Sequence, residues 1–368
     1  MLSYQVTEHG KPLQKVFAQP PQPKGTEVLV RITRSGVCHS DLHIWDGYFD
    51  LGGGKRFYVK DRGCVPPFTM GHEPFGVVEA FGSGAATAAK GSTPGLKVGQ
   101  RRLVYPWIGC GKCAVCKAGQ DNYCVSGTRF LGVNRPGAYS THVLIPHPKY
   151  LVDTAGVEDS FAATLACSGL TTFSAISKLQ ALGPKDWVAV MGCGGLGLIA
   201  ISIMKAMGIR NVIACDIDDG KLAAAKKLGA KLTMNTAAPE AAQRLAALAK
   251  GNLVGAIDLV GMPATFMTAY PALRKGGRYI ICGLFGGEVT LALPPIAQRA
   301  VSVSGCYVGN LAELKAVVAL ARKKKLKPLP VETRAASEVN RTLEELKAGK
   351  ILGRVVLDFE TAPENAAA

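Results

Sequence analysis

Cys110, Cys113, Cys116 and Cys124 fall in one short run, 109–124. The two-residue gaps let successive thiolates turn around one tetrahedral ion, and Gly109, Gly111 and Gly119 permit the tight backbone. A closed set of four thiolates is a structural zinc site, with no position left for a reactant. A second set is less regular: Cys38, His72 and Cys167. Two thiolates and one imidazole leave a fourth position open, which is the pattern of a catalytic zinc.

Gly192, Gly194, Gly195, Leu196 and Gly197 belong to a glycine-rich run with Cys193. It follows an apolar strand pattern at 187–191 and opens a helical pattern at 198–207, the context that a dinucleotide fingerprint requires. Gly192 permits the turn, Gly194 admits the pyrophosphate, and Gly197 lets helix pack on strand. The diphosphate is expected at the helix N-terminus, where free amides favour anions. Asp216 ends the next strand pattern. Its carboxylate suits the hydroxyls of the adenosine ribose, and with Asp218 and Asp219 it repels a 2′-phosphate, so NAD is expected over NADP.

The segment 37–43 concentrates reactive groups. Beside Cys38, Ser40 offers a hydroxyl and His43 a proton relay to solvent. Glu73 follows His72. Cys167 lies where the sequence changes character, which places the metal between two domains, a usual position for a small-molecule site. A metal ion there lowers the pKa of a bound alcohol, and a nicotinamide can take the hydride.

The elements that must position these groups divide by texture. Short strand patterns at 28–32, 76–80 and 102–105, between Gly and Pro turns, indicate a barrel-like β domain. A helical pattern at 162–182 follows. Strand patterns at 187–191, 212–215, 256–260, 279–282 and 301–304 then alternate with helical ones at 221–228 and 240–248, predicting a doubly wound parallel sheet. A helix at 311–320 and a strand at 353–358 return toward the first domain. Ala366 to Ala368 are expected to fray.

The 368 residues exceed one ordinary core, and 48% hydrophobic with 19% charged residues describe a globular protein. No secretory signal or membrane-length apolar run is apparent, so a cytoplasmic location and no membrane partner are expected. Six of the eleven cysteines belong to the two metal sets; Cys64, Cys193, Cys215, Cys282 and Cys306 read as buried free thiols. The net charge of +16 is spread along the chain without an aromatic-interleaved groove. It suits an anionic cofactor better than nucleic acid, and no nucleic-acid partner is expected.

These motifs, with the run 167–172 and the terminal 353–358, resemble the zinc-containing alcohol dehydrogenases of the medium-chain dehydrogenase/reductase superfamily, microbial members especially. The resemblance implies an α/β chain. A GroES-like catalytic domain with the zinc lobe would cover 1–168, a Rossmann NAD-binding domain 169–307, and a return to the catalytic domain 308–368. It implies two zinc ions and NAD. It also implies that Asp41 bonds His72, that Glu73 lies behind the metal, and that Ser40 passes a proton by way of the nicotinamide ribose to His43. His39 and Arg354 would contact the pyrophosphate, Lys221 a ribose, and Thr171 the nicotinamide, with Gly283 and Leu284 at its carboxamide. The implied activity is reversible hydride transfer between an alcohol, primary or aromatic, and NAD, by a homodimer or homotetramer. A polyol or secondary-alcohol dehydrogenase, or a non-enzymatic relative on the same fold, is the alternative. The stretch 50–64 is longer than in many relatives and is expected to be a loop at the cleft mouth or an assembly contact, behind Trp45, Tyr48 and Phe49 as pocket walls.

Overall fold

In the computed structural model, which describes residues 1–179 and 182–362, a parallel sheet flanked by helices abuts a mainly antiparallel β domain. The parallel sheet has six strands: Trp187–Met191, Val212–Asp216, Leu232–Asn235, Leu253–Asp258, Arg278–Ile281 and Ser302–Gly305. Numbered along the chain, they lie in the order third, second, first, fourth, fifth, sixth. The connections diverge beside the first strand, and ligands bind at such a switch point. All five residues of that strand are buried, as a strand covered on both faces requires. Leu232–Asn235 was not legible as a strand because only Met234 in it is buried.

Helix Gly195–Ala206 runs from the end of the first strand. A Cβ on Gly197 would stand 2.0 Å from the carbonyl oxygen of Gly192, so glycine alone permits this helix to lie so close to the turn. Gly192 itself has φ of +88°, a left-handed conformation that favours glycine.

In the β domain, Val28–Val37 is the central strand of a seven-stranded sheet. Pro74–Phe81 and His142–Ile145 pair with it, and so does Arg354–Asp358, near the end of the described chain. The register sets Val355 opposite Val37, which brings Arg354 to the strand end that carries Cys38. The chain thus crosses into the parallel sheet and comes back.

One continuous helical segment, Asp159–Ser177, makes the crossing. It is 19 residues long and apolar enough to span a bilayer, which the sequence reading missed. It is a core helix, with 89% of its most apolar window buried. Its middle turn, Leu165–Gly169, is a π-helix, a wide turn that often marks a functional position. Cys167 sits in that turn. Residues 180–181 of the expected helix 162–182, and the expected frayed Ala366 to Ala368, lie outside the described residues.

The stretch 50–64 is not a loop. Tyr48–Gly52 and Lys55–Tyr58 form an antiparallel hairpin, followed by a 3₁₀ turn at Val59–Arg62. Three successive glycines, Gly52 to Gly54, all with positive φ, make the reversal and broke the sequence pattern. The hairpin reaches the other domain: a Cβ on Gly52 would lie 2.8 Å from the backbone nitrogen of Glu288.

Candidate active site

Cys38, His72, Glu73 and Cys167 converge from three places in the chain, all buried, with one ligand atom from each inside a 4.8 Å cluster. Cys38 follows the central strand and is the N-cap residue of helix His39–Asp46. The two thiol sulfurs are 4.0 Å apart. That matches the spacing of about 3.8 Å for two thiolates on one tetrahedral zinc.

The surroundings orient the imidazole. His72 Nδ1 lies 3.1 Å from Asp41 Oδ1, and the carboxylate can only accept, so Nδ1 carries the proton. Nε2 is left buried with no protein partner, as a metal ligand would be. Asp41 is itself fixed: its Oδ2 accepts from the Cys38 amide and the Tyr139 hydroxyl, each at 2.9 Å. The Trp107 ring stands 5.5 Å from His72, and its indole N–H donates to Ala166 beside Cys167. Sequence reading missed Tyr139 and Trp107, because nothing local ties them to Asp41 or the metal set.

Protons and a cation compete for these atoms. The bond with Cys167 foremost, and His72 beside it, hold the Cys38 thiol well below its usual range despite burial. Burial opposes a charge on His72, but Asp41 and Cys38 together outweigh it and raise its pKa. A site that favours two such charged forms suits a divalent cation, which replaces the protons and satisfies both thiolates.

Glu73 lies behind the ligands. Burial pushes its carboxyl up to about 7, although the Arg354 guanidinium opposes the shift. Arg354 Nη2 is 2.5 Å from Glu73 Oε2. Gly36 makes room, since a Cβ there would fall 1.9 Å from that oxygen. Arg354 therefore does two things: it lines the cofactor cleft, and it is spent partly on Glu73, a use the resemblance did not imply.

The cleft against the parallel sheet is lined by His39, Ser40, His43, the run from Gly194 to Gly197, Asp216, Lys221, Gly283 and Leu284, with Gly192 at its turn. Nothing stands within 4 Å of a Cβ placed on Gly194, which leaves open space for a phosphate. Asp216 is anchored by the amides of Cys193 at 2.6 Å and of Ile217 at 2.8 Å. Asp218 caps helix Asp219–Leu228 through the Lys221 amide. Burial first, with the Arg354 and Lys221 charges, lowers the His39 pKa, and burial with His39 lowers that of His43. Both rings are therefore neutral at pH 7. His43 Nε2 and Thr171 Oγ1 are buried without protein partners, on residues that line the cleft and the adjoining cavity respectively.

A larger cavity of about 580 Å³ joins this cleft and shares Cys38, Ser40, Leu196 and residues 282–284 with it. Phe49, Phe57, Trp107, Val133, Tyr307 and Val308 give it largely apolar walls. Of the three expected pocket residues only Phe49 lies there. Trp45 turns into the core, donating its indole N–H to the Lys11 carbonyl at 2.6 Å, and Tyr48 lies under the Arg56 guanidinium, 4.0 Å from its ring. Both belong to helix or hairpin faces directed away from the cavity.

The four lobe cysteines also bring their sulfurs within 4.8 Å of one another. Amides of Lys112 and Cys113 point at Cys110 Sγ, at 3.4 and 3.3 Å, and stabilise its thiolate. The Cys116 amide holds Cys113 down to about 6. Gly109 is needed here, because a Cβ would lie 2.4 Å from Cys116 Sγ. The donor set is that of a closed zinc site.

Two family descriptions match the chain: "Alcohol dehydrogenase GroES-like domain" over residues 24–155 and "Zinc-binding dehydrogenase" over 195–323. An NAD-dependent alcohol dehydrogenase of Sulfurisphaera tokodaii is 35% identical, covering 97% of this chain and 99% of that one. An alcohol dehydrogenase of Geobacillus stearothermophilus is 33% identical over 96% of this chain and 98% of its own. Among solved structures, the alcohol dehydrogenase of Aeropyrum pernix superposes with a TM-score of 0.83 at 31% identity, over 97% of this chain and all of that one. The acetophenone reductase of Geotrichum candidum, solved with NAD, superposes at 0.84 with 28% identity over 98% of each chain. With its GroES-like domain, its dinucleotide sheet and both cysteine sets in place, the chain belongs to the zinc-binding alcohol dehydrogenases.

Proposed function

We propose that this protein is an NAD-dependent zinc alcohol dehydrogenase that interconverts primary or aromatic alcohols and their aldehydes. One observation carries the reading. The open set Cys38, His72 and Cys167 lies where the dinucleotide cleft meets an apolar cavity, so all three reaction partners converge on one point. When bound, zinc acts as a Lewis acid that acidifies the alcohol, and NAD accepts the hydride.

The chain's own residues do the rest. Asp41, held by Tyr139, keeps His72 in the tautomer that presents Nε2. Ser40 lines both the cleft and the cavity, so its hydroxyl can take the substrate proton. His43, neutral and with Nε2 unpartnered, is the acceptor at the end of that path. Phe49, Phe57 and Trp107 exclude water and favour an aromatic or alkyl group over a polyhydroxy chain.

Ser302–Gly305 is an exposed edge strand, which supports pairing of two chains across a two-fold axis. The two thiolate sets support a reducing, cytoplasmic setting.

Nicotinamide absorbance with NAD or NADP and a panel of aliphatic, aromatic, secondary and polyhydroxy alcohols tests the reading. Chelator-sensitive turnover is expected, with NAD and with aromatic or primary alcohols first. Zinc-loaded protein that turns over none of them, or prefers polyols, overturns it. Asp216→Ala is expected to reduce the NAD-to-NADP ratio of kcat/KM by about 100-fold, through loss of ribose bonds and of like-charge repulsion. An unchanged ratio removes Asp216 from cofactor choice.

A further inference from the structure

Two cysteines outside both metal sets face each other across the parallel sheet. Arg278–Ile281 and Ser302–Gly305 pair with Ile281 opposite Gly305, so the next residues in register are Cys282 and Cys306. The ladder continues between them, since the Cys306 amide donates to the Ile281 carbonyl at 2.8 Å. Neighbouring strands lie about 4.8 Å apart, inside the range of about 4.4–6.8 Å between the Cα atoms of a disulfide. Facing side chains in register project to the same side of the sheet. Both line the apolar cavity, and Cys282 also lines the cofactor cleft.

We propose that Cys282 and Cys306 are a modification site: a dithiol that hydroperoxides oxidise to a disulfide, which weakens NAD(H) binding in the adjoining cleft.

Cys306 is the nucleophile. Its thiol donates to the carbonyls of Thr171 at 3.6 Å and Val308 at 3.5 Å, and its pKa is lowered by Cys282 first, then by Ser174 and the Lys178 charge, although burial opposes this. Cys282 is raised correspondingly and keeps its proton. The Cys306 thiolate attacks one peroxide oxygen. An S–O bond forms, the O–O bond breaks, sulfur is oxidised by two electrons, and the peroxide leaves as hydroxide or alkoxide, reduced. The Cys282 sulfur then attacks the sulfenic sulfur. The S–S bond forms, the S–O bond breaks, and the departing hydroxide takes the Cys282 proton as water. Thioredoxin-type dithiols would reverse the step by exchange.

The consequence follows from position. Cys282 immediately precedes Gly283 and Leu284, which line the cofactor cleft. Gly283 is packed so closely on Val260 that a Cβ would lie 2.0 Å from its carbonyl carbon, so this turn has no slack to absorb a drawn-in neighbour. Drawing Cys282 toward Cys306 shifts it.

The test uses zinc-loaded full-length protein and hydrogen peroxide. Peptide mass analysis after alkylation is expected to find Cys282 linked to Cys306, with both zinc ions retained, NADH affinity lowered at least about 10-fold, and recovery on adding dithiothreitol. Cys306→Ser is expected to abolish the linkage and the change in NADH affinity on peroxide treatment. Either a linkage that joins other cysteines, or oxidation of these two without a link, overturns the site. A Cys282–Cys306 link that leaves NADH affinity unchanged overturns its effect on the cleft. The link is read by mass, apart from any activity, while NADH binding by untreated protein tests the cofactor reading separately.

Discussion

The protein places sulfur ligands in two arrangements that differ in what holds them. The lobe draws all four from one run of chain, with only the short helix Ala114–Lys117 and the turn Asp121–Tyr123 as regular structure between them. Three of its cysteines are partly exposed. The set at Cys38, His72 and Cys167 is assembled by a strand end, a turn and a π-helical turn, far apart in sequence and wholly buried. Around it stand Asp41, Tyr139, Trp107 and Glu73, each held by a further contact. In the lobe, then, metal would organise chain that has little core of its own. In the cleft, the fold organises ligands in advance and leaves the metal an open side. Equal chemistry at sulfur can serve opposite ends, depending on whether packing precedes the ion or follows it.

The largest expected effect separates the two. Cys38→Ala should lower turnover by at least about 1000-fold, roughly 4 kcal/mol in the barrier, and reduce zinc from two ions per chain to one. Circular dichroism and melting should change little, because strand Val28–Val37 keeps its three partner strands. Full activity in a folded variant would remove zinc chemistry from this site. Cys110→Ser should act in the opposite sense. The lobe loses its ion, amides over 109–127 exchange faster, and the melting temperature falls by roughly 5 °C or more. Unchanged melting and metal content would count against the structural site.

His43 sharpens the catalytic side of the comparison. Burial first, then the nearby His39, lowers its pKa, so the folded protein favours the neutral ring. Neutral imidazole accepts a proton; the protonated ring cannot. Alcohol oxidation should therefore hold through neutral pH and decline on the acid side as His43 charges, at a pH below the ordinary histidine range. His43→Ala should reduce kcat by about 100-fold, flatten that acid limb, and recover in part with added imidazole. A variant that keeps the limb would place the titrating group elsewhere.

How much of this was legible in the sequence follows the same division. The lobe is local, so spacing alone disclosed it, and the glycine run was readable because strand, turn and helix occur in order. The set Cys38, His72 and Cys167 was readable from its donor types, whereas the His72–Asp41 bond came through resemblance, since its partners are remote in sequence. Tyr139, Trp107 and the Arg354–Glu73 pair carry no local signal; only the strand register and the crossing helix bring them in. Trp45 failed as a pocket wall for a related reason. Its position near Phe49 in sequence says nothing about which way a helix face turns, and its indole is committed to Lys11. The hairpin at 48–58 was hidden by consecutive glycines, which read as loop and act as a tight reversal.

Tyr139 gives the smallest and most discriminating effect. Burial, and next the Asp41 charge, raise its pKa well above the usual range, so its hydroxyl stays a donor at every accessible pH. Tyr139→Phe keeps the ring and removes one of the bonds on Asp41 Oδ2, leaving the Cys38 amide alone there. The carboxylate then holds His72 less firmly, and zinc affinity at the cleft should fall by about 10-fold. The lobe, to which Tyr139 makes no hydrogen bond among the described residues, should keep its ion. A graded chelator titration checks this: in the variant the cleft zinc, reported by loss of turnover, should leave at about one-tenth the chelator-to-zinc competition needed in the parent, with the lobe release unmoved. Equal displacement of both ions would mean that Asp41 does not depend on Tyr139, and that prior organisation of the cleft extends no further than its ligands.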